Sequence, residues 1–251
     1  MLQTMGILAI LAMCALAAHK ARRAHLMQFE LRHAIAQESA TLYRQLEALQ
    51  ALQQELSLPH SLPPLRGWAA SPDFLLELVR HAQDARPRTV VECSSGASTL
   101  VLARCMQLNG GGKVYSLEHD PVYAAQTRAN LKRMGLSEYA EVLDAPLTPF
   151  HAGAEAWSWY RYEVLPPDLR IDLLAIDGPP MTTGPLARYP AGPALFGRLA
   201  ANSAVFLDDA ARAEETAILD RWKREFPQLG QSMLYCEKGC AVLRTSVAEG
   251  A

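Results

Sequence analysis

The sequence predicts an α/β fold: a doubly wound, mostly parallel seven-stranded sheet, preceded by an apolar N-terminal helix and a long helical stalk. Three observations carry this expectation. From about Gly67 onward, short apolar runs alternate with segments of helical pattern, the rhythm of successive strand-helix-strand units. The runs are mostly apolar rather than alternating, which suits parallel strands buried on both faces. Near the C-terminus, "SMLYCEKGCAVLR" sets two apolar runs around Lys238-Gly239 and reads as a closing hairpin, so the parallel pattern ends in antiparallel strands.

Residues 1–19 are expected to form a membrane anchor. Met5 to Ala18, "MGILAILAMCALAA", is wholly apolar, although short against the roughly 20 residues that cross a hydrocarbon core. His19, Lys20, Arg22, Arg23 and His25 follow at once. Their charge places that flank in the cytoplasm, with the long side chains reaching the headgroups. The expected location is therefore the cytoplasmic face of the inner membrane, on a single-pass anchor. A cleavable signal peptide competes on Ala15-Leu16-Ala17 but lacks a positive n-region, and a buried or fraying terminal helix is the third reading.

Residues 20–58 are the stalk, in which no glycine or proline falls between Leu26 and Leu58 and strong helix formers dominate. Ile35, Leu42, Leu49 and Leu56 recur every seven residues. The companion seam mixes Leu31, Glu38, Gln45 and Leu52, and a sustained coiled coil needs both seams apolar. A weak homodimer through the stalk and a stalk resting partly on the domain are both compatible with this pattern. Residues 59–70, with three prolines in "LPHSLPPLRG", make a linker. Within residues 71–251, strands are expected at Thr89–Glu92, Lys113–Leu117, Ala140–Leu143, Ile171–Ile176 and Ala204–Leu207. Helices are expected at Ser98–Met106, Val122–Met134, Gly192–Ala200 and about Ala213–Phe226.

Composition narrows the function. A formal net charge of -2 and a pI near 6.4 supply no basic face for nucleic acid, which is excluded as a main partner. Five scattered cysteines are an odd number and suggest no disulfide framework. Cys236 and Cys240 have no second ligand pair at zinc-finger spacing.

In an open parallel sheet the ligand crevice lies at the C-terminal ends of the strands. Here those ends carry Glu92 and "CSSGAST", then Glu118-His119-Asp120, Asp144, Asp177-Gly178 and Asp208-Asp209. Every strand delivers an acid to one rim. The loop after the first strand holds a single glycine, Gly96, where a dinucleotide fingerprint would hold three. Such a rim repels phosphates but suits a cation whose ribose needs acceptors, and Glu118 can accept from both ribose hydroxyls. S-adenosylmethionine, with a sulfonium and no phosphate, meets those demands.

The series "VVECSSGASTLVLA", "VYSLEHD", "LDAPL", "IDLLAIDGPP" and "AVFLDDAAR" resembles class I S-adenosylmethionine-dependent methyltransferases, and more narrowly a subgroup of small bacterial ones. The resemblance runs from about Pro72 to Arg244. It implies a Rossmann-like domain in which Glu92 and Gly96 shape the methionine pocket and Ser95, Ser98 and Thr99 line it. It implies that Glu118 holds the ribose, His119 flanks the adenine and Asp144 receives the adenine amino group. It makes Asp177 a cofactor contact and the candidate catalytic residue. Metal-dependent O-methyltransferases of this type place acids where Asp177, Asp208 and Asp209 stand, which would suit Mg2+ or Mn2+. The alternative is that Asp177 meets the methionine end while Asp208 and Asp209 cap the following helix. The departure from the family is Ser94, where glycine is usual: a Cβ there narrows the loop or demands a less extreme backbone angle.

His119, His151 and Tyr189 are candidate bases by location. "AWSWYRYE", Ala156 to Glu163, is expected in a long inter-strand connection whose aromatics either pack in the ordinary way, the favoured reading, or cover the acceptor; Arg188 is expected as a surface arginine, with pairing to an anionic acceptor as the alternative. The expected activity is methyl transfer to an oxygen of a small, glycan-like or lipid-linked acceptor. A silent membrane-tethered scaffold and an aminopropyl transferase are the rival readings.

Overall fold

The computed structural model describes residues 2–245. Met1, at the head of the expected anchor, and residues 246–251, at the end of the expected domain, lie outside the described residues. The chain divides into two compact units, residues 1–46 and 47–251.

The described residues of the first unit are all helical, as part of helix α1 (Leu2–Leu56). The expected head and stalk are thus one continuous helix. Met5, Ile7, Leu8, Ile10, Leu11, Met13 and Leu16 are all exposed, and so are Ile35 and Leu42 of the seven-residue repeat. An 18-residue window of this helix reaches a mean hydropathy of 1.6, so by length and composition it can cross a membrane.

The second unit begins inside α1. Ala48, Leu52 and Leu56 lie at helical spacing on one face and are buried in the core, with Ala51 packed beside them. The lower end of the seven-residue repeat is therefore domain core. Leu58, Leu62 and Leu65 of the proline-rich segment also pack against that core.

Helix α2 (Pro72–Ala85) starts with a proline in its first turn, where no backbone donor is lost, and buries Phe74, Leu75, Leu78, Val79 and Ala82. There follow β1 (Thr89–Cys93), α3 (Ala97–Leu108), β2 (Lys113–Glu118), α4 (Pro121–Arg133) and β3 (Ala140–Asp144). A hairpin, β4 (Leu147–Ala152) and β5 (Glu155–Tyr160), comes next, then β6 (Ile171–Ile176), the short α5 (Ala191–Leu195) and β7 (Leu199–Asp208). Helix α6 (Ala213–Glu225), β8 (Leu229–Leu234) and β9 (Cys240–Thr245) complete the domain.

The seven strands order as β3-β2-β1-β6-β7-β9-β8, with β9 antiparallel to both neighbours. The expected strands and the C-terminal hairpin are all present. Their side chains alternate between two cores: Val90, Leu173 and Phe206 join α2, α3 and α4 on one face, while Val91, Leu174 and Leu207 join Trp159, Ile218 and Trp222 on the other.

Two expectations fail locally. The helix expected over Gly192–Ala200 ends at Leu195, passes through one 3-10 turn at Phe196–Arg198 and gives way to β7 at Leu199. Gly197 interrupts the run, and the strand, paired along β6, begins five residues earlier than its apolar stretch implies. The segment Ala156 to Glu163 is likewise no loop: residues through Tyr160 form β5, paired with β4 from Leu147 to Ala152.

Candidate active site

Strand order makes β1 and β6 the switch point, where chain connections leave in opposite directions and a crevice opens. A cavity of about 230 Å3 lies there, at the C-terminal ends of β1, β2, β6 and β7. Ser94 follows β1, Glu118-His119-Asp120 closes β2, Asp177-Gly178 follows β6 and Asp209 follows β7. Tyr160, Arg188, Arg212, Lys238 and the exposed Trp68 complete the wall.

The loop after β1 is held from beneath. Glu92 is fully buried, and its Oε2 accepts from the Thr99 hydroxyl at 2.6 Å and from the Ser116 hydroxyl at 2.7 Å. The Gly96 N–H donates to Thr99 Oγ1 at 3.0 Å, which ties the turn to the same carboxyl. Burial pushes the Glu92 carboxyl up to about 7, while hydrogen bonds from Ser98, Thr99 and Ser116 oppose the rise. Glu92, Ser98 and Thr99, expected to shape and line the methionine pocket, are buried supports and not part of the cavity wall. Gly96 is not part of the wall either.

Ser94 keeps the backbone angle that a glycine would adopt, with φ at 118°. Its Cβ does not force a gentler angle. The space is taken from the neighbouring strand end instead, where Gly178 is obligatory: a Cβ there would collide with the Tyr160 hydroxyl and approach Ser94 Cβ to 3.1 Å.

Glu118 is set for recognition. Its Oε2 accepts from the Ser95 hydroxyl at 2.9 Å, and its Oε1 accepts from the Asp120 N–H at 3.0 Å, with His119 Nδ1 3.2 Å away. Three of about four carboxylate lone-pair directions are thus occupied or approached, which orients the group and leaves capacity toward the cavity. Ser95 acts on the cavity through Glu118. Asp144 stands apart: its carboxylate accepts from Arg128 at 2.7 Å, is largely exposed, and does not line the cavity.

At the other end, Asp177, Asp208 and Asp209 converge, each offering an oxygen within 4.8 Å of the others. The unforeseen member is Arg188, which is buried at 4% exposure and is no surface residue. Its Nη2 donates to Asp209 Oδ2 at 2.7 Å and to Asp177 Oδ1 at 3.2 Å, and its Nη1 donates to the Asp208 carbonyl at 2.9 Å. Arg212 adds a second cation 2.8 Å from the same Asp209 oxygen.

Burial pushes Asp177 up to about 6, with Arg188 opposing and Asp209 reinforcing the rise. Asp208 is pushed well above the carboxylate range by burial and then by its two acidic neighbours. Arg188 already takes one oxygen each of Asp177 and Asp209, so the expected Mg2+ or Mn2+ would have to compete with a side-chain cation for its ligands.

Tyr160 is the second residue missed. Its hydroxyl lines the cavity, is buried, and has no hydrogen-bond partner among the described residues. Burial pushes its phenol well above the usual range, so it stays protonated and offers a donor. Of the three expected bases, only His119 lines the cavity. Tyr189 donates to Glu225 at 2.9 Å and lies under Arg221, while His151 is an exposed residue of β4.

Residues 91–210 match a family model described as a methyltransferase domain. No curated protein matches the chain. Among solved structures, the SAH-bound methyltransferase PaMTH1 of Podospora anserina is 17% identical, with 79% of this chain and 88% of that one covered at a TM-score of 0.56. An O-methyltransferase from Bacillus cereus in complex with SAH is 19% identical, covering 80% and 91% at 0.53. The O-methyltransferase TomG from Streptomyces achromogenes, involved in tomaymycin synthesis and in complex with SAM, is 16% identical, covering 83% and 96% at 0.53.

Proposed function

We propose that this chain, whose residues 91–210 match a methyltransferase domain and whose fold is shared with an SAH-bound methyltransferase, is a class I S-adenosylmethionine-dependent methyltransferase that transfers the methyl group to an oxygen of a small or lipid-linked acceptor. One observation carries the reading: a single cavity joins an oriented ribose acceptor, Glu118, to a half-buried acidic end, Asp177. Its wall holds Glu118, Asp120, Asp177 and Asp209 against Arg188, Arg212 and Lys238, one negative charge in excess. A cofactor with one net positive charge, from sulfonium and ammonium less a carboxylate, balances that excess.

In this reading Glu118 accepts from the ribose hydroxyls, and His119 flanks the base. The acceptor oxygen attacks the methyl carbon in line with the sulfonium. The C–O bond forms as the C–S bond breaks, its electron pair returns to sulfur, and S-adenosylhomocysteine leaves. The acceptor's hydroxyl proton passes to the carboxylate of Asp177, the acid in the cavity wall closest to the switch point.

The glycan-like or lipid-linked character of the acceptor, and attachment to the cytoplasmic face of a membrane, belong to the same proposal. Their support is the apolar head of α1 and the basic flank at Lys20, Arg22 and Arg23. The deciding experiment is isothermal titration of the detergent-solubilised full chain with S-adenosylmethionine. Saturable binding that weakens at least about tenfold in Glu118→Ala supports the enzyme, since a charged hydrogen-bond acceptor is worth about 1.5–3 kcal/mol. No heat at millimolar cofactor would leave the scaffold as the better reading.

A further inference from the structure

We infer that Arg188 is the resident cation of the acidic cluster, and that this end of the cavity works with a guanidinium where a divalent ion would otherwise stand. The argument begins with what Arg188 touches. Its Nη2 also donates to the Asp177 carbonyl at 3.2 Å, and its Nε lies 3.8 Å from Glu215 Oε1. Its side-chain hydrogen bonds and ion pairs thus fall on Asp177, Asp208, Asp209 and Glu215, and three of these are the would-be ligands. Asp209 Oδ2 is shared by two guanidiniums, and Asp208 Oδ1 accepts from the Asp209 N–H at 2.8 Å. Among the described residues, the buried oxygens of the trio left without a partner are Asp208 Oδ2 and Asp209 Oδ1.

The arginine is fixed in place by its own stretch of chain. The Tyr189 N–H donates to Leu186 and the Ala191 N–H to Arg188 itself, each through a backbone carbonyl, so the side chain leaves a tight turn just before α5. Its planar fork reaches two carbonyls and two carboxylates at once, a pattern that an ammonium could not reproduce. Arg188 is therefore a positioning residue. It orients Asp177 and keeps the cluster from recruiting an ion.

The test is Mn2+ titration of the full chain followed by the electron paramagnetic resonance signal of free Mn2+, with cofactor binding measured separately. The wild type is expected to leave Mn2+ free at micromolar concentrations. Arg188→Gln, which removes the charge, should bind one Mn2+ per chain at least about tenfold more tightly than the wild type. Arg188→Lys keeps a cation and should behave as the wild type does. A wild-type chain that binds one Mn2+ tightly and loses it in Asp208→Asn overturns the inference. A folded Arg188→Gln chain that still ignores Mn2+ overturns it too. If Arg188→Gln fails to fold by circular dichroism, the wild-type titration decides alone. Absence of S-adenosylmethionine binding would count against the proposed activity and leave the Mn2+ result standing.

Discussion

Ser94 and Glu92, two residues apart, store opposite kinds of cost in one loop. A φ of 118° at a residue with a Cβ costs on the order of 1–3 kcal/mol, and glycine would relieve it at an entropic cost of about 0.4–1 kcal/mol. Ser94→Gly should therefore raise the unfolding free energy by about 1 kcal/mol in urea denaturation, with cofactor affinity held or improved. Destabilisation would show that the angle is not strained. For Glu92 the cost depends on pH. Its carboxyl is pushed up to about 7 from an ordinary value near 4.5, so the folded state holds a proton that the unfolded chain releases. Stability from this group is full below about pH 4.5 and is lost as pH rises through about 7. Glu92→Gln should flatten that decline, and urea midpoints at pH 5 and pH 8 for both proteins would show it. An equal decline in the two would place the titration elsewhere. The acids at the strand ends were legible because position along a parallel strand fixes which end faces the crevice. Arg188 was not, because a lone arginine in "LARYPAG" gives no sign of burial; only the fold brings it to the charges that can offset its desolvation.

Parallel strands announce themselves by continuous apolar runs, and all five were placed to within a residue or two at the crevice end, where the site is built. Local competition decided the failures. The hairpin of β4 and β5 pairs outside the main sheet, and its burial pattern mixes exposed and half-buried positions until Trp159 and Tyr160. Its aromatics therefore leave two readings open, ordinary packing and a cover for the acceptor. The hairpin in fact closes one face of the core with Trp159 and delivers Tyr160 to the cavity. Because that hydroxyl is buried and unpaired in the free protein, Tyr160→Phe should leave the apo domain as stable or up to about 1 kcal/mol more stable. If the hydroxyl donates to the bound cofactor's carboxylate, the same change weakens S-adenosylmethionine binding by about tenfold. Thermal denaturation and calorimetry on one preparation would separate the two effects. A variant with lower melting temperature and unchanged affinity would make Tyr160 a packing residue only.

At the scale of the whole chain, the proposed membrane attachment rests on how differently the two units treat their apolar side chains. Residues 47–251 bury their apolar strands between two layers and expose charge, as a domain in water must. Along the head of α1, Met5, Ile7, Leu8, Ile10, Leu11, Met13 and Leu16 are each more than half exposed. These positions run around the helix and do not keep to one stripe. A helix that only rests on a bilayer needs a polar face to turn toward water, and this stretch has none. Insertion across the hydrocarbon, with Lys20, Arg22 and Arg23 reaching the headgroups, removes the exposure that an aqueous helix would leave. The expected outcome is that the full chain sediments with membranes and resists alkaline carbonate, whereas a chain lacking residues 1–19 is released. In inside-out vesicles the domain should be open to added protease if, as proposed, the basic flank lies on the cytoplasmic side. Extraction of the full chain by carbonate would reduce the head to a peripheral contact, and protection in inside-out vesicles would reverse the orientation. Either result would separate the domain's chemistry from an acceptor held in the membrane, since a cavity on the wrong side, or on an untethered domain, gains no local concentration of a lipid-linked substrate.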